Sequence, residues 1–153
     1  MSKATIGAGS KLQLGDGASP EAFAAVAEIL TLKRSGKSIK TADVTNMDSP
    51  TDSNGVVHEE FVGTIMSGGD FDFTYNFIPD VTGGQAAMRA AFDGKIHNYK
   101  LVTPKDNTAN SPVTKWTLTF SGLIVTADDL DFSIDKQIVG TGKIKISGVD
   151  SWA

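Results

Sequence analysis

The sequence predicts a mainly β fold, a β-sandwich or small barrel with one flanking α-helix. In residues 69–79, Phe71, Phe73, Tyr75 and Phe77 alternate with Asp70, Asp72, Thr74 and Asn76. That period of two marks a strand with one dry face and one wet face. Trp116, Leu118 and Phe120 alternate in the same way with Thr117, Thr119 and Ser121. A single stretch, 82–93, carries helix start and stop signals around an apolar stripe.

Residues 1–10 are small and Gly-rich, an expected flexible N-terminal arm that orders only if something outside the domain holds it. A short strand at 11–14 ends at Gly15-Asp16-Gly17. Ser19, Pro20 and Glu21 suit the cap and first turn of a helix, so one helical turn is expected there, followed by a strand at 26–33. A polar turn at 34–37 leads to another short strand at 38–44. Residues 45–67 form an expected long loop, opening with the turn formers of 46–55 and continuing through Val56, Val57, His58, Glu59, Glu60, Phe61 and Val62, a stretch open to either strand or arm. Loops of this length inside a compact domain are usually functional.

After the aromatic strand, Thr82 and Gln85 have capping-box spacing, and Gly94 stands where a C′ glycine belongs. Met88, Ala91 and Phe92 fall on one side of this helix and are expected to face the sheet. A strand at 95–103, a loop at 104–112 and a long strand at 113–126 follow, with Gly122 permitting a bulge. Asp128, Asp129 and Asp131 are expected in a loop, and the last strand spans 135–149, with Ile144 and Ile146 opposite Lys143 and Lys145. The expectation is one domain over 1–153 with seven or eight strands.

The chain has 153 residues and a formal charge of −4, which argues against nucleic-acid binding through a basic surface. Without cysteine there is neither a disulfide framework nor thiolate chemistry. No secretory signal and no membrane-spanning apolar run is present, so a soluble protein made in a cytoplasm is expected.

Candidate chemistry fails at each motif. Gly36-Lys37-Ser38 resembles the end of a P-loop, but Thr31 stands where the earlier glycine is needed. Asp52-Ser53-Asn54-Gly55 resembles a calcium loop whose two anchoring positions are Pro50 and Phe61. His58-Glu59-Glu60 begins like a zinc-protease motif with no second His after it, and the other His, His97, is on a different strand. No Ser lies in a Gly-x-Ser-x-Gly setting, and Asp70 and Asp72 are most simply the wet side of a strand. No catalytic residue, cofactor or metal is expected.

The order of elements resembles the major tail (tail tube) proteins of lambda-like, long-tailed phages. The matching stretches are Gly15-Asp16-Gly17-Ala18-Ser19-Pro20-Glu21-Ala22-Phe23 with Val26-Ala27-Glu28-Ile29, Asp43-Val44-Thr45 before a long loop, and residues 69–79 leading to one helix. Further on, Trp116-Thr117-Leu118-Thr119-Phe120-Ser121-Gly122 and Lys143-Ile144-Lys145-Ile146-Ser147-Gly148 match as well. The similarity covers about 11–148 and rests on structural motifs; the extra immunoglobulin-like domain of some relatives is not expected.

The resemblance implies a virion structural protein, assembled in the host cytoplasm, whose six-membered rings stack into a hollow tube for genome ejection. It gives the wet face a role: Asp70, Asp72, Thr74, Asn76, Thr117, Thr119 and Ser121 become candidates for lining the lumen, where acidic and short polar groups repel phosphate. Asp48, Asp52, Val56, Val57, His58, Glu59, Glu60, Phe61 and Val62 become a candidate ring-stacking loop that orders on assembly. Implied partners are further copies of the chain, a tape-measure protein, a tail terminator and tail-tip or baseplate proteins, with DNA passing unbound and no membrane insertion. Two other readings are a tube protein of the type VI secretion kind and a carbohydrate-binding β-sandwich.

Overall fold

The computed structural model describes residues 9–79, 84–103 and 116–153. Residues 1–8 of the expected 1–10 arm, Thr82 of the capping pair, and residues 104–115 of the expected loop and following strand lie outside these residues. Nine strands and one helix are described: β1 Lys11–Gly15, β2 Phe23–Ala25, β3 Ile29–Arg34, β4 Ser38–Asp43, β5 Phe61–Ser67, β6 Asp70–Asn76, α1 Gln85–Ala90, β7 His97–Val102, β8 Thr117–Asp131 and β9 Val139–Trp152. Seven of them make one antiparallel sheet in the order β2-β1-β7-β8-β9-β6-β3, and β4 pairs only with β5.

The sheet is curled. Its edge strands β2 and β3 are joined by residues 26–28 alone. Six strand spacings of about 4.8 Å would hold the edges of a flat sheet about 29 Å apart. Four Cα steps from Ala25 to Ile29 reach about 14 Å at most. Rolling up is the only way to satisfy both, and it encloses one face.

That inner face is the core. It takes Leu12 and Leu14 from β1, Phe71, Phe73 and Tyr75 from β6, Tyr99 from β7, Leu118, Phe120 and Ile124 from β8, and Ile144 and Ile146 from β9. Phe120 stacks with Tyr99 and meets Phe71 at a tilt, both at 5.4 Å between ring centroids. Opposite β6, β9 supplies Gly142 to Phe73 and Gly140 to Tyr75. A Cβ at either glycine would run into the facing ring, so the bare backbone there makes room for the aromatics.

Helix α1 is one and a half turns long and closes on the core with Met88 and Ala91, whereas Phe92 is exposed, contrary to the expected stripe. The helix ends at Ala90, short of Asp93, so Phe92 has already left the helical path. Among the described residues, Gln85 bonds to backbone outside its own helix. It is buried, accepts a bond from Ile78 N (3.0 Å) and donates to Ala27 O (3.0 Å) and Asn76 O (2.8 Å), tying the helix to the crossing between the sheet edges.

Other local expectations are corrected. No helical turn forms at 19–23: the Asp16 carboxylate accepts the amides of Ala18 (2.9 Å) and Ala22 (3.1 Å), fixing a turn that competes with the helix. The strand expected at 26–33 begins at Ile29, because 26–28 make the crossing, with Glu28 at φ 58°. Asp128, Asp129 and Asp131 belong to β8, which runs on beyond the expected loop, and β9 starts at Val139 and continues to Trp152. Trp116 precedes β8 and is exposed rather than in the core.

Candidate assembly surfaces

The wet face of β6 lies on the outside of the curled sheet. Asp70, Asp72, Thr74 and Asn76 there are all partly exposed. Two strands away, across β9, Thr117, Thr119 and Ser121 of β8 have the same outward phase, so both sets share one face. Thr74 meets Thr31 hydroxyl to hydroxyl at 2.5 Å. Asn76 donates to Glu28 Oε2 (3.2 Å) and accepts from Gln137 (2.8 Å), and Ser121 donates to Asn98 Oδ1 (2.7 Å).

This face is less acidic than β6 by itself suggests. Asp72 lies in register between Lys33 of β3 and Lys143 of β9, with Lys143 Nζ 3.6 Å from its carboxylate, and Asp70 lies opposite Lys145. Alternating the sign of charge across neighbouring strands keeps the surface strongly hydrated while cancelling most of its long-range field. The lysines are on two segments of the sequence, β3 and β9, on either side of β6 in the chain, so only strand pairing brings them beside the two aspartates.

The second surface is the ribbon β4–β5. The segment expected as a loop from 45 to 67 is a loop only as far as Glu60, because Phe61–Ser67 is β5. Every residue of both ribbon strands is exposed. Ile39 pairs with Met66, and Asp43 with Phe61, placing these apolar groups on one side; Val62 and Ile65, opposite Ala42 and Lys40, are on the other. Ile39, Phe61, Val62, Ile65 and Met66 are each at least half exposed. A two-stranded ribbon with apolar side chains on both faces is marginal in water by itself.

The ribbon tip is more ordered than a flexible loop. Ser49, buried, donates to Glu60 Oε2 at 2.6 Å, and the Glu60 amide donates to Thr45 Oγ1 at 2.8 Å. Asp52 Oδ1 accepts the amides of Asn54 and Val56, and Thr51 pairs with Val57. The hydroxyl and amide of Thr45 hold the Asp43 carboxyl below the usual carboxylate range. Among the candidate stacking residues, Asp48, Val56, Val57, His58 and Glu59 are exposed at this tip.

The ribbon continues the β3–β6 pair through two bends, 35–37 and Gly68-Gly69. Gly69 has φ 83°, and a Cβ there would lie 2.6 Å from Ser35 O, so the bend requires glycine. Asp150 of β9 locks it: its carboxylate lies 2.8 Å from Arg34 Nη1 and 2.7 Å from Lys37 Nζ. Arg34 also donates to Gly68 O at 3.3 Å. Hydrogen bonding from Arg34, against the cost of burial, pulls the Asp150 carboxyl down to about 2. No sequence signal joins residues 34, 37 and 150, since they meet only through the sheet.

Compared with solved structures, the whole chain matches proteins from tails, tail tubes and related assemblies. It overlays on a protein of the tail of an empty gene transfer agent particle, refined with C6 symmetry, at TM-score 0.67 and 16% identity, covering 98% of this chain and 99% of the other. This is the tail tube fold. The tail tube protein of SPP1 matches at TM-score 0.62 and 14% identity over 97% of this chain and 78% of that one. A chain of the sheath–tube complex of an extracellular contractile injection system, PVC, matches at TM-score 0.64 and 9% identity, over 98% and 91%. No protein-family model matches the sequence, and no curated protein matches it significantly. Within the tail tube fold, the curled sheet is the body and the β4–β5 ribbon is the part that leaves it.

Proposed function

We propose that this chain is the structural, non-catalytic subunit of a phage-type tail tube: six copies form a ring, and rings stack into a hollow tube that carries DNA. The ribbon carries this reading. Its two apolar faces lie outside the core of their own chain, and a neighbouring copy can cover both. The match to a tail with C6 symmetry supports six copies. Head-to-tail stacking does not close on itself, so it builds filaments whose length another protein must set, and a tape measure, a terminator and a tail tip are the partners this implies.

The outward face bearing Asp70, Asp72, Thr74, Asn76, Thr117, Thr119 and Ser121 is assigned to the lumen. Its alternating charges hold water and give DNA no net basic surface to adhere to. The ribbon with its tip, residues 38–67, is assigned to ring stacking. A second reading, the inner tube of a contractile injection system, is supported by the fold's likeness to the PVC chain.

Negative-stain electron microscopy of the concentrated protein, beside size-exclusion chromatography, tests the proposal. Hollow stacked rings are expected. A chain that stays monomeric at high concentration and also with a tail-tip complex present, or that binds glycans as a monomer, overturns it. A tube that recruits a sheath protein selects the second reading.

A further inference from the structure

The two ends of β9 carry complementary surfaces. At its C-terminal end, an open groove of about 580 Å³ runs between the ribbon root and β9. Its walls include Ile65, Met66 and Val149 with Lys40 and Lys145, beside the paired Lys37 and Asp150. Val149 is 93% exposed, and Lys40 and Lys145 make no ion pair among the described residues. At the other end, the β8–β9 hairpin turns through residues 132–138, where Phe132 is 71% and Ile134 fully exposed. Asp129, Asp131 and Asp135 flank these two side chains, with Lys136 as the single opposing charge of the turn.

One surface is apolar with a basic rim, and the other is apolar with an acidic rim. Ten residues of β9 separate Val139 from Val149, about 33 Å at strand rise. A chain therefore cannot seat its own hairpin tip in its own groove. We propose that the β8–β9 tip of one copy docks in the ribbon-root groove of the next, as the polar-rimmed apolar contact that joins successive rings. This rests on the tube reading above and specifies which surfaces meet. The contact is heterologous, so each copy offers one tip and one groove and the chain of contacts propagates. Charge complementarity across it sets register and speeds encounter.

Because the sequence has no cysteine, the contact can be trapped covalently. A chain carrying Val149→Cys and Ile134→Cys, both at exposed positions, is oxidised at the concentration used for microscopy. A ladder of disulfide-linked multimers is expected, while either single variant stops at dimers. Adding Lys40→Glu and Lys145→Glu should reduce the ladder about tenfold, and further adding Asp129→Lys and Asp131→Lys should restore it. Tubes that form from the reduced chain but give no ladder overturn the contact and leave the tube reading standing. A ladder indifferent to charge reversal, or not restored by the double reversal, also overturns it. Absence of both ladder and tubes, from the wild-type chain as well and with a tail-tip complex present, removes the tube reading itself.

Discussion

Asp150 and Arg34, 116 positions apart in sequence, meet at 2.8 Å where the ribbon leaves the sheet. With Lys37 on the same carboxylate, they fix the bend between β3 and β4 against β9. A buried carboxylate with two cations can hold a ribbon at one angle in a way that exposed pairs cannot.

Asp150→Asn should therefore destabilise the folded chain. The carboxyl lies at about 2 in the fold against 3.8 for a free group, so its contribution is about 2 kcal/mol. The folded value is depressed, so this contribution is complete above pH 3.8 and is lost as pH falls towards 2. Urea melts at pH 7 and pH 2.5 should show the variant weaker at the higher pH and closer to the wild type at the lower one. Equal destabilisation at both would remove the ion pair as the cause.

Gly142→Ala should cost about 1–3 kcal/mol by overpacking, because the new methyl meets the Phe73 ring. Combined with Phe73→Leu it should cost less than the sum of the two single changes. Additive losses in denaturant titrations would mean that the ring and the glycine are not coupled.

The ribbon variants Phe61→Ser and Ile65→Ser, one on each face, remove apolar groups that the monomer leaves exposed. Monomer stability should change by about 0.5 kcal/mol or less. Assembly, followed by light scattering, should fall sharply. A chain that assembles normally with both changes would free the ribbon from the stacking role.

Asp70→Lys with Asp72→Lys should convert the balanced outward face into a run of five lysines with Lys33, Lys143 and Lys145. Tubes should still form, but ejection of DNA through them should slow, and they should retain duplex DNA at low salt and release it as salt rises. Tubes of this variant that leave DNA unbound, like the wild type, would place the face elsewhere than the lumen.

Much of the fold was legible because it is local. Alternation in residues 70–76 places Phe71, Phe73 and Tyr75 inside with no knowledge of the rest of the chain, and the same holds for Leu118, Phe120, Ile144 and Ile146. The helix was legible in kind, but its early end and the exposure of Phe92 were not. Of the ribbon, β4 was legible as a short strand but β5 was hidden in the expected loop, because apolar residues on both faces of a strand pair give no clear period.

The sequence by itself determined which strands have a dry side, that one helix closes the sheet, and that no catalytic motif is complete. Tertiary structure alone decided the curl that brings β2 beside β3, the lysines that stand in register with Asp70 and Asp72, and the Asp150 latch under the ribbon. The physical reason is range. Side-chain alternation is set by the backbone within a few residues, whereas pairing register and ion pairs depend on chain segments that only folding brings together.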